Sequence, residues 1–333
     1  MVGAAFSAAI KERMTRLRFV EMNINLRSLI FASLAAVIAI SVGCNKSQPT
    51  ASGPETFASP ENAGQAIYTA AKNGDGNGLT AIFGPEAKEL IFSGDPVQDK
   101  AGLDLFVGRY DEMHRWSKLA NGGMVLDVGA DNYPFPFPLL KNATSQWYFD
   151  SNSAKQEILV RRIGGNELST VDALNAIADA QAEYFSQTHD DSHVRQYAQR
   201  FVSDEGKQNG LYWKPADENQ PESPLGPLAA YASAEGYSGH AQEPQPFHGY
   251  LYRILTKQGE KAHGGAKDYM VNGAMTRGFA ILAYPAEYGN SGVMSFLINQ
   301  DGVVFEKNLG ENTGDTAKAI SAFNPDDTWK PVE

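Results

Sequence analysis

The sequence predicts an α+β fold in which amphipathic helices precede an antiparallel sheet, an order that occurs twice along the 333 residues. Apolar residues recur at intervals of three and four before residue 120 and again over 171–185, which is the spacing of amphipathic helices. Short β-rich runs bounded by turn residues follow each helical region. The composition, 42% hydrophobic and 20% charged, is that of a globular chain, and the length allows two domains of ordinary size.

The first predicted domain covers residues 59–165 and begins with a helix. Ser59 followed by Pro60 supplies a capping hydroxyl and a proline at the first helical position. We expect one helix over 61–78 that ends at its glycines. The further elements predicted in this domain are a helix within 99–119, strands at 123–128 and 145–149, and a helix at 153–163.

The second predicted domain covers residues 166–333. A capping-box pattern from Ser169 to Asp172 starts a long helix, which continues or restarts over 194–201. A proline-rich surface loop over 214–227 separates this helix from an antiparallel meander. The predicted strands of the meander are 248–255, 269–272, 278–284, 293–299 and 303–307, the last two joined by an Asp301-Gly302 hairpin turn.

Both halves resemble known folds. Helices followed by a bent sheet, with an Ala-rich first helix that ends at a Gly/Asp turn, resemble the cone-shaped nuclear transport factor 2-like fold over residues 59–150. The helix, loop and meander over 166–308, which include GFAILAYPAEYG and MSFLINQDGVVF, resemble the globular head of type IV pilins and pseudopilins. The resemblance to pilin heads implies an architecture and no chemistry. This half of the chain lacks the hydrophobic N-terminal helix with which pilins polymerise.

Residues 1–43 carry the strongest functional signal in the chain. An apolar run over 29–42 follows a basic residue, and it is shorter than the about 20 residues that a membrane-spanning helix needs, as in a secretory signal peptide. The sequence Ser41-Val42-Gly43-Cys44 resembles the lipobox of bacterial lipoproteins, except that Ser41 replaces the usual aliphatic residue. The resemblance implies cleavage before Cys44 and a thioether-linked lipid on its sulfur. An uncleaved anchor helix with a buried Cys44 is the alternative.

Residues 44–58 are rich in Ser, Pro and Gly, which predicts a flexible tether between the lipid and the folded body. We expect Met22 to be the start, because export does not need the basic residues before it. In a Gram-negative cell, Asn45 in place of Asp would favour the periplasmic face of the outer membrane. The chain after residue 43 has 23 basic and 37 acidic residues, a net charge of −14. This charge argues against a nucleic-acid partner and leaves membrane attachment to the lipid.

At the level of the whole chain, several segments together resemble one bacterial family, domain of unknown function 2950. The resemblance extends from Phe57 to Trp329 and implies a secreted or lipid-anchored envelope protein with no established activity. The segments are NYPFPFPLLKN, EILVRRIGGNEL, PESPLGPL, FHGYLYRILT and PAEYGNSGVMSFLINQDGVVFEKNLG.

No segment of the sequence forms a complete catalytic or metal-binding pattern. His189 and His193 could share a helical face, with Asp190 or Asp191 supplying a carboxylate, but the pattern places no third ligand, and a solvated helix end is the simpler interpretation. Residues 73–78 resemble the start of a calcium loop without its twelfth-position Glu, and 289–292 miss the G-x-S-x-G nucleophile pattern by one residue. We therefore predict no cofactor and no metal.

Aromatic residues are the remaining candidates for a binding surface. Trp213, Tyr250 and Tyr284 would contribute to an interaction patch for a protein or a glycan if their rings were exposed together. Packing in the core is the alternative for the same residues.

The sequence leaves three functions open. The favoured one is a non-catalytic cell-envelope lipoprotein that binds an envelope protein or a cell-wall glycan, because the export signal is clear and no catalytic constellation is assembled. A periplasmic hydrolase is the first alternative, with its site in the N-terminal cone or between the two halves; a deep cavity lined by a carboxylate and His114 would favour it. A pilus or secretion accessory protein is the second alternative.

Overall fold

The computed structural model describes residues 53–190, 192–215, 222–237 and 245–332. The predicted signal peptide, Cys44 and most of the tether lie outside the described residues. The residues from Ala51 to Glu333 belong to one structural unit. Helices and antiparallel sheets make up this unit, which confirms the α+β prediction.

The first helix begins as the sequence predicts. Ser59 Oγ accepts the N–H of Asn62 at 3.2 Å, and Pro60 occupies the first turn. The prediction of a single helix to residue 78 is wrong, because Asp75 caps a new helix by accepting the N–H of Gly78 at 2.9 Å. The α-helices of the described residues are α1 Pro60–Lys72, α2 Gly76–Phe83, α3 Lys88–Ile91, α4 Pro96–Glu112, α5 Ser151–Phe185, α6 Gly226–Glu235 and α7 Thr313–Ala319.

The first sheet is antiparallel and packs against α1, α2 and α4. Its strands are β1 His114–Lys118, β2 Met124–Val128, β3 Tyr133–Pro134, β4 Leu139–Lys141 and β5 Trp147–Phe149, in the order β1-β2-β4-β5 with β3 paired to β2. Phe83, Phe137 and Phe149 form an aromatic centre for the core beneath this sheet. The helix predicted as far as residue 119 ends at Glu112 instead, because the next residues pair with β2 as a strand.

One helix of 35 residues, α5, passes through the position at which the sequence predicts a domain boundary. The helices predicted on either side of residue 166 are therefore a single helix. Asn166 lies at its middle, accepts a hydrogen bond from Gln98 at 2.7 Å and donates to the carbonyl of Ser291 at 2.8 Å. These bonds attach α5 to both halves of the chain, and the division into two domains stays a prediction.

The second large sheet is antiparallel, and helices cover both of its faces. Tyr252 donates to Thr170 of α5 at 3.4 Å, whereas the neighbouring Arg253 donates to the carbonyl of Ala317 in α7 at 2.7 Å. Burial on both faces explains why the inner strand Ala280–Pro285 is apolar without alternation. The strands of the second large sheet, in sheet order, are β14 Lys330–Pro331, β13 Phe305–Asn308, β12 Met294–Asn299, β11 Ala280–Pro285 and β6 Tyr250–Leu255.

Two small ribbons complete the strands of the described residues. They are β7 Lys257–Gln258 paired with β8 Lys267–Asp268, and β9 Met270–Val271 paired with β10 Ala274–Met275. The hairpin predicted at Asp301-Gly302 is confirmed, since β12 and β13 pair antiparallel and Gly302 has a φ of 76°.

The helix predicted over 194–201 is wrong. Ala198 is buried, and its N–H and C=O are both hydrogen-bonded to the side chain of Gln181, each at 2.8 Å. The backbone N–H and C=O of Ala198 are therefore satisfied without the hydrogen bonds of a helix.

Within the described part of the chain, no helix combines the length and the apolar character needed to cross a membrane.

Candidate functional site

A groove with a volume of about 910 Å³ lies at the β14 edge of the second sheet. We call it the sheet-edge groove. It is formed by the ends of β12 and β13, by β14, and by the two loops that flank this edge. The residues of its lining that carry the argument are Lys261, Asp301, Val303, Phe305, Asp326 and Trp329.

The floor of the sheet-edge groove is apolar. Phe305 and Phe323 meet edge to face with ring centroids 6.0 Å apart, and Trp329 lines the groove beside them. Val303 is 43% exposed, so part of this floor is open to solvent. Apolar floors with a few polar groups are characteristic of ligand sites.

Two lysines, Lys261 and Lys330, line the groove, and a third, Lys307, lies beside its Trp329. Lys307 Nζ lies 5.9 Å from the centroid of the Trp329 ring, and Lys330 Nζ donates to the carbonyl of Asp327 at 2.9 Å. Lys261 also lines the groove and is exposed. None of the three ammonium groups forms an ion pair with a residue that the structure describes.

Acceptors complete the rim of the groove. Hydrogen bonds from the hydroxyl and the N–H of Thr328 lower the pKa of Asp326, and the fields of Lys307 and Lys261 lower it further. Asp301 accepts a hydrogen bond from the buried Asn299 at 3.1 Å. The groove therefore presents both carboxyl and ammonium groups around an apolar floor.

A second polar cluster, which we call the Asp95 cluster, is buried where α4, α6 and β6 approach one another. The Asp95 carboxylate is 1% exposed, caps α4, and accepts hydrogen bonds from Tyr237 Oη at 2.7 Å and from the N–H of Gly249 at 3.2 Å. Burial and the bond to Asp95 raise the pKa of Tyr237, so its phenol stays a neutral donor. His248 Nε2 lies 3.3 Å from the Glu235 carboxylate.

His248 has the two features expected of a constrained functional residue. Its φ is 49°, in the left-handed region that few side chains adopt, and its ring is paired with a carboxylate. The rings of Phe247, Tyr237 and Tyr231 surround it, with centroids 4.4, 5.9 and 6.3 Å away. A general base needs an open position for substrate, and this packing instead makes His248 a buried titratable group.

His248→Asn is expected to flatten the dependence of stability on pH between pH 7 and pH 5. Burial lowers the pKa of His248 below its ordinary value near 6.5, although Glu235 and Asp95 oppose the shift. The unfolded chain therefore binds a proton at a higher pH than the folded chain, and the free energy of unfolding falls as the pH drops through 6.5 and below. Asparagine tolerates the same backbone conformation.

The measurement is urea unfolding followed by circular dichroism at several pH values. The matched control is His193→Asn, which changes an exposed histidine and should keep the wild-type slope. If the free energy of unfolding had the same slope against pH in the wild type and in His248→Asn, the lowered pKa assigned to His248 would be contradicted.

The structure places the predicted interaction residues mainly in the core. Trp213 and Tyr250 are buried, and Tyr250 Oη donates to the carbonyl of Met294 at 2.9 Å, so neither ring offers a surface to a partner. Tyr284 is half-buried on β11. The core alternative thus describes these rings better than an interaction patch does, and Cys44 lies outside the described residues.

The other candidate motifs have structural roles. His189 is buried against Tyr184 while His193 is exposed, so the pair does not share one site. Ser291 Oγ exchanges hydrogen bonds with the backbone of Glu287, which holds a turn and leaves no free nucleophile. Among the residues the structure describes, no three His, Cys, Asp or Glu side chains group around a possible metal position.

Sequence reasoning missed the sheet-edge groove. Its rim comes from segments more than 60 residues apart, for example Lys261 and Lys330, and no local spacing connects them. The one local signal was the Asp326-Asp327 pair beside Trp329, which combines charge and an aromatic ring near a strand.

In the part of the chain that the structure describes, two five-stranded antiparallel sheets connected by one long helix define an α+β protein with a mixed-charge groove at a sheet edge. Residues 54–332 match the family described as "Protein of unknown function (DUF2950)", and the chain belongs to that family. The predicted resemblance to this family is confirmed. Neither the curated proteins nor the solved structures include a match to this chain.

Proposed function

We propose that the protein is a non-catalytic cell-envelope lipoprotein, anchored by a lipid on Cys44, whose folded body binds a cell-wall glycan in the sheet-edge groove. The observation that carries the proposal is the groove itself, in which polar hydrogen-bonding groups surround an apolar floor. Sugars present both hydroxyl groups and apolar C–H faces, so they need this combination.

The dimensions and rim chemistry of the groove support a saccharide. A volume of about 910 Å³ falls within the range of about 300–1,000 Å³ that is usual for ligand sites. Asp301 and Asp326 supply acceptors and Lys261 and Lys330 supply donors for hydroxyl groups, while Phe305 and Val303 supply the apolar contact.

The anchor rests on the N-terminal sequence and on charge. The cysteine at residue 44 follows an apolar run of signal-peptide length, and a Ser/Pro/Gly-rich stretch separates it from the first described helix. With a net charge of −14, the mature chain would be repelled by an anionic bilayer, so the lipid provides the attachment.

The hydrolase alternative has less support from the site. His114 is exposed, its ring stacks on Tyr110 with centroids 3.8 Å apart, and its Nδ1 lies 2.9 Å from the carbonyl of the same tyrosine. The pilus alternative and the two finer fold resemblances, nuclear transport factor 2-like and pilin-head-like, rest on element order alone.

Sedimentation with purified peptidoglycan sacculi tests the binding proposal. Full-length protein in detergent should co-sediment with sacculi, and Val303→Glu should lower the bound fraction by at least about fivefold because it puts a carboxylate on the apolar floor. The matched control is Val202→Glu, since Val202 is 45% exposed and lies outside the groove. Failure of the wild type to sediment, or equal losses for both variants, would overturn the proposal.

A further inference from the structure

We infer that Asn272 is a site of spontaneous covalent modification, at which the side-chain amide is lost and an aspartate or isoaspartate residue forms. Asn272 lies at the tip of the hairpin between β9 and β10, outside the residues that line the sheet-edge groove. The residue after it is Gly273, and Asn-Gly is the pair at which this reaction is fastest. The sequence contains five such pairs, which begin at Asn73, Asn77, Asn121, Asn209 and Asn272.

The reaction needs only the two neighbouring residues and water. The backbone nitrogen of the glycine attacks Cγ of the asparagine, and the new N–C bond closes a succinimide ring. The proton of the glycine N–H goes to solvent, and the Nδ2 group leaves as ammonia. Water then adds to either carbonyl of the ring, which gives aspartate or isoaspartate. Glycine favours the attack because it has no Cβ to obstruct it.

A hydrogen bond from the glycine N–H opposes the reaction, because the nitrogen must lose its proton and turn toward the side chain. The N–H of Gly273 has no hydrogen-bond partner among the residues that the structure describes. The other four glycines all have one: Gly74 donates to the carbonyl of Ala71 at 3.1 Å, Gly78 to Asp75 Oδ1 at 2.9 Å, Gly122 to the carbonyl of Leu119 at 3.0 Å, and Gly210 to Ser203 Oγ at 2.9 Å.

The side chain of Asn272 is also unconstrained. It is exposed, and its carboxamide forms no hydrogen bond with a residue in the described part of the chain. Asn121 and Asn209, by contrast, each accept a backbone N–H through Oδ1 at 3.0 Å, and Asn209 also donates to Asp204 at 2.8 Å. The amide of Asn272 can therefore turn toward the next backbone nitrogen without losing a partner.

The tip of this hairpin can open without disturbing the core. β9 and β10 contribute two residues each and form a sheet of their own, a size at which a hairpin is marginally stable. The base of the hairpin is fixed, since Tyr197 N–H donates to the carbonyl of Met275 at 2.8 Å. Asn272 and Gly273 have φ angles of 52° and 83°, and the peptide between them must rotate before the ring closes. Opening confined to these two residues is sufficient.

Peptide mapping by mass spectrometry tests the inference on the full-length protein, incubated in detergent and mildly alkaline buffer. The rate at which each Asn-Gly pair gains the mass of the amide-to-acid exchange is divided by its rate in the chain unfolded by guanidinium chloride, which removes the effect of neighbouring sequence. This ratio should be at least about fivefold higher at Asn272 than at each of the other four pairs, the rate factor of roughly one hydrogen bond.

Asn272→Gln should abolish the mass gain of its peptide, because the longer side chain closes the corresponding ring far more slowly. Asn73→Gln is the matched control, since it removes another exposed Asn-Gly pair and should leave the rate at Asn272 unchanged. A ratio at any other pair equal to or above that at Asn272 would overturn the inference. The same conclusion would follow if Asn272 kept its amide in the folded protein while the unfolded chain lost it.

Discussion

Gly292→Ala is expected to lower the free energy of unfolding by about 3 kcal/mol or more, through overpacking and a lost hydrogen bond. A Cβ at residue 292 would overlap the phenol oxygen of Tyr250 and lie 2.5 Å from its Cζ. Tyr250 is fully buried, packs on Phe296 with centroids 5.8 Å apart, and donates to the carbonyl of Met294 at 2.9 Å. The ring therefore has no space into which it could move.

Thermal or urea unfolding of the purified protein measures this change. Gly164→Ala is the control and should act in the opposite direction, because Gly164 lies inside α5 with no atom within 4 Å of an added Cβ. Alanine is the better helix former, so a gain of about 0.5–1 kcal/mol is expected there. A stability for Gly292→Ala within about 0.5 kcal/mol of the wild type would contradict the packing described for Tyr250.

Cys44→Ala is the second change with a large expected effect, and it acts on location instead of stability. Loss of the thiol removes the position at which we propose that the lipid attaches, so the protein should move from the membrane pellet to the soluble fraction in a detergent-free extraction. Each buried methylene of a lipid chain contributes about 0.8 kcal/mol to membrane binding, and the acidic body cannot replace it.

A second variant distinguishes membrane retention by the lipid from retention by the apolar run of the signal peptide. Residues 1–44 are replaced by a leader that is cleaved without lipid addition, so no apolar run is left to hold the chain in the bilayer. Asn45→Ala is the matched control and should stay in the pellet. If the protein with the replaced leader stayed in the membrane fraction, the lipid-anchor proposal would be contradicted.

The elements that the sequence predicts well are those set by local chemistry. The cap at Ser59, the hairpin at Asp301-Gly302 and four of the five strands of the second sheet depend on neighbouring residues, and the structure contains them; the edge strand Lys330–Pro331 was not predicted. Errors occur where the secondary structure of a segment depends on residues far away in the sequence. The backbone at Ala198 is hydrogen-bonded to the side chain of Gln181 instead of forming a helix, and the two helices predicted on either side of residue 166 are one helix, Ser151–Phe185.

The candidate site was less accessible to sequence reasoning than the fold. Export stays a prediction from a contiguous signal, whereas the sheet-edge groove combines loops and strands from across the last 70 or so residues, so no local pattern indicates it. The predicted aromatic patch was misplaced for a similar reason: Tyr250 has the sequence context of an exposed anchor in a strand, but helix α5 covers its face of the sheet. Only tertiary packing distinguishes a binding ring from a core ring.

The mass of the N-terminal peptide, taken from protein purified out of the membrane fraction, tests the lipid-anchored account most directly. We expect a peptide that begins at Cys44 and carries the mass of a thioether-linked lipid. A peptide that begins upstream, or one that contains a free thiol at Cys44, would contradict the account.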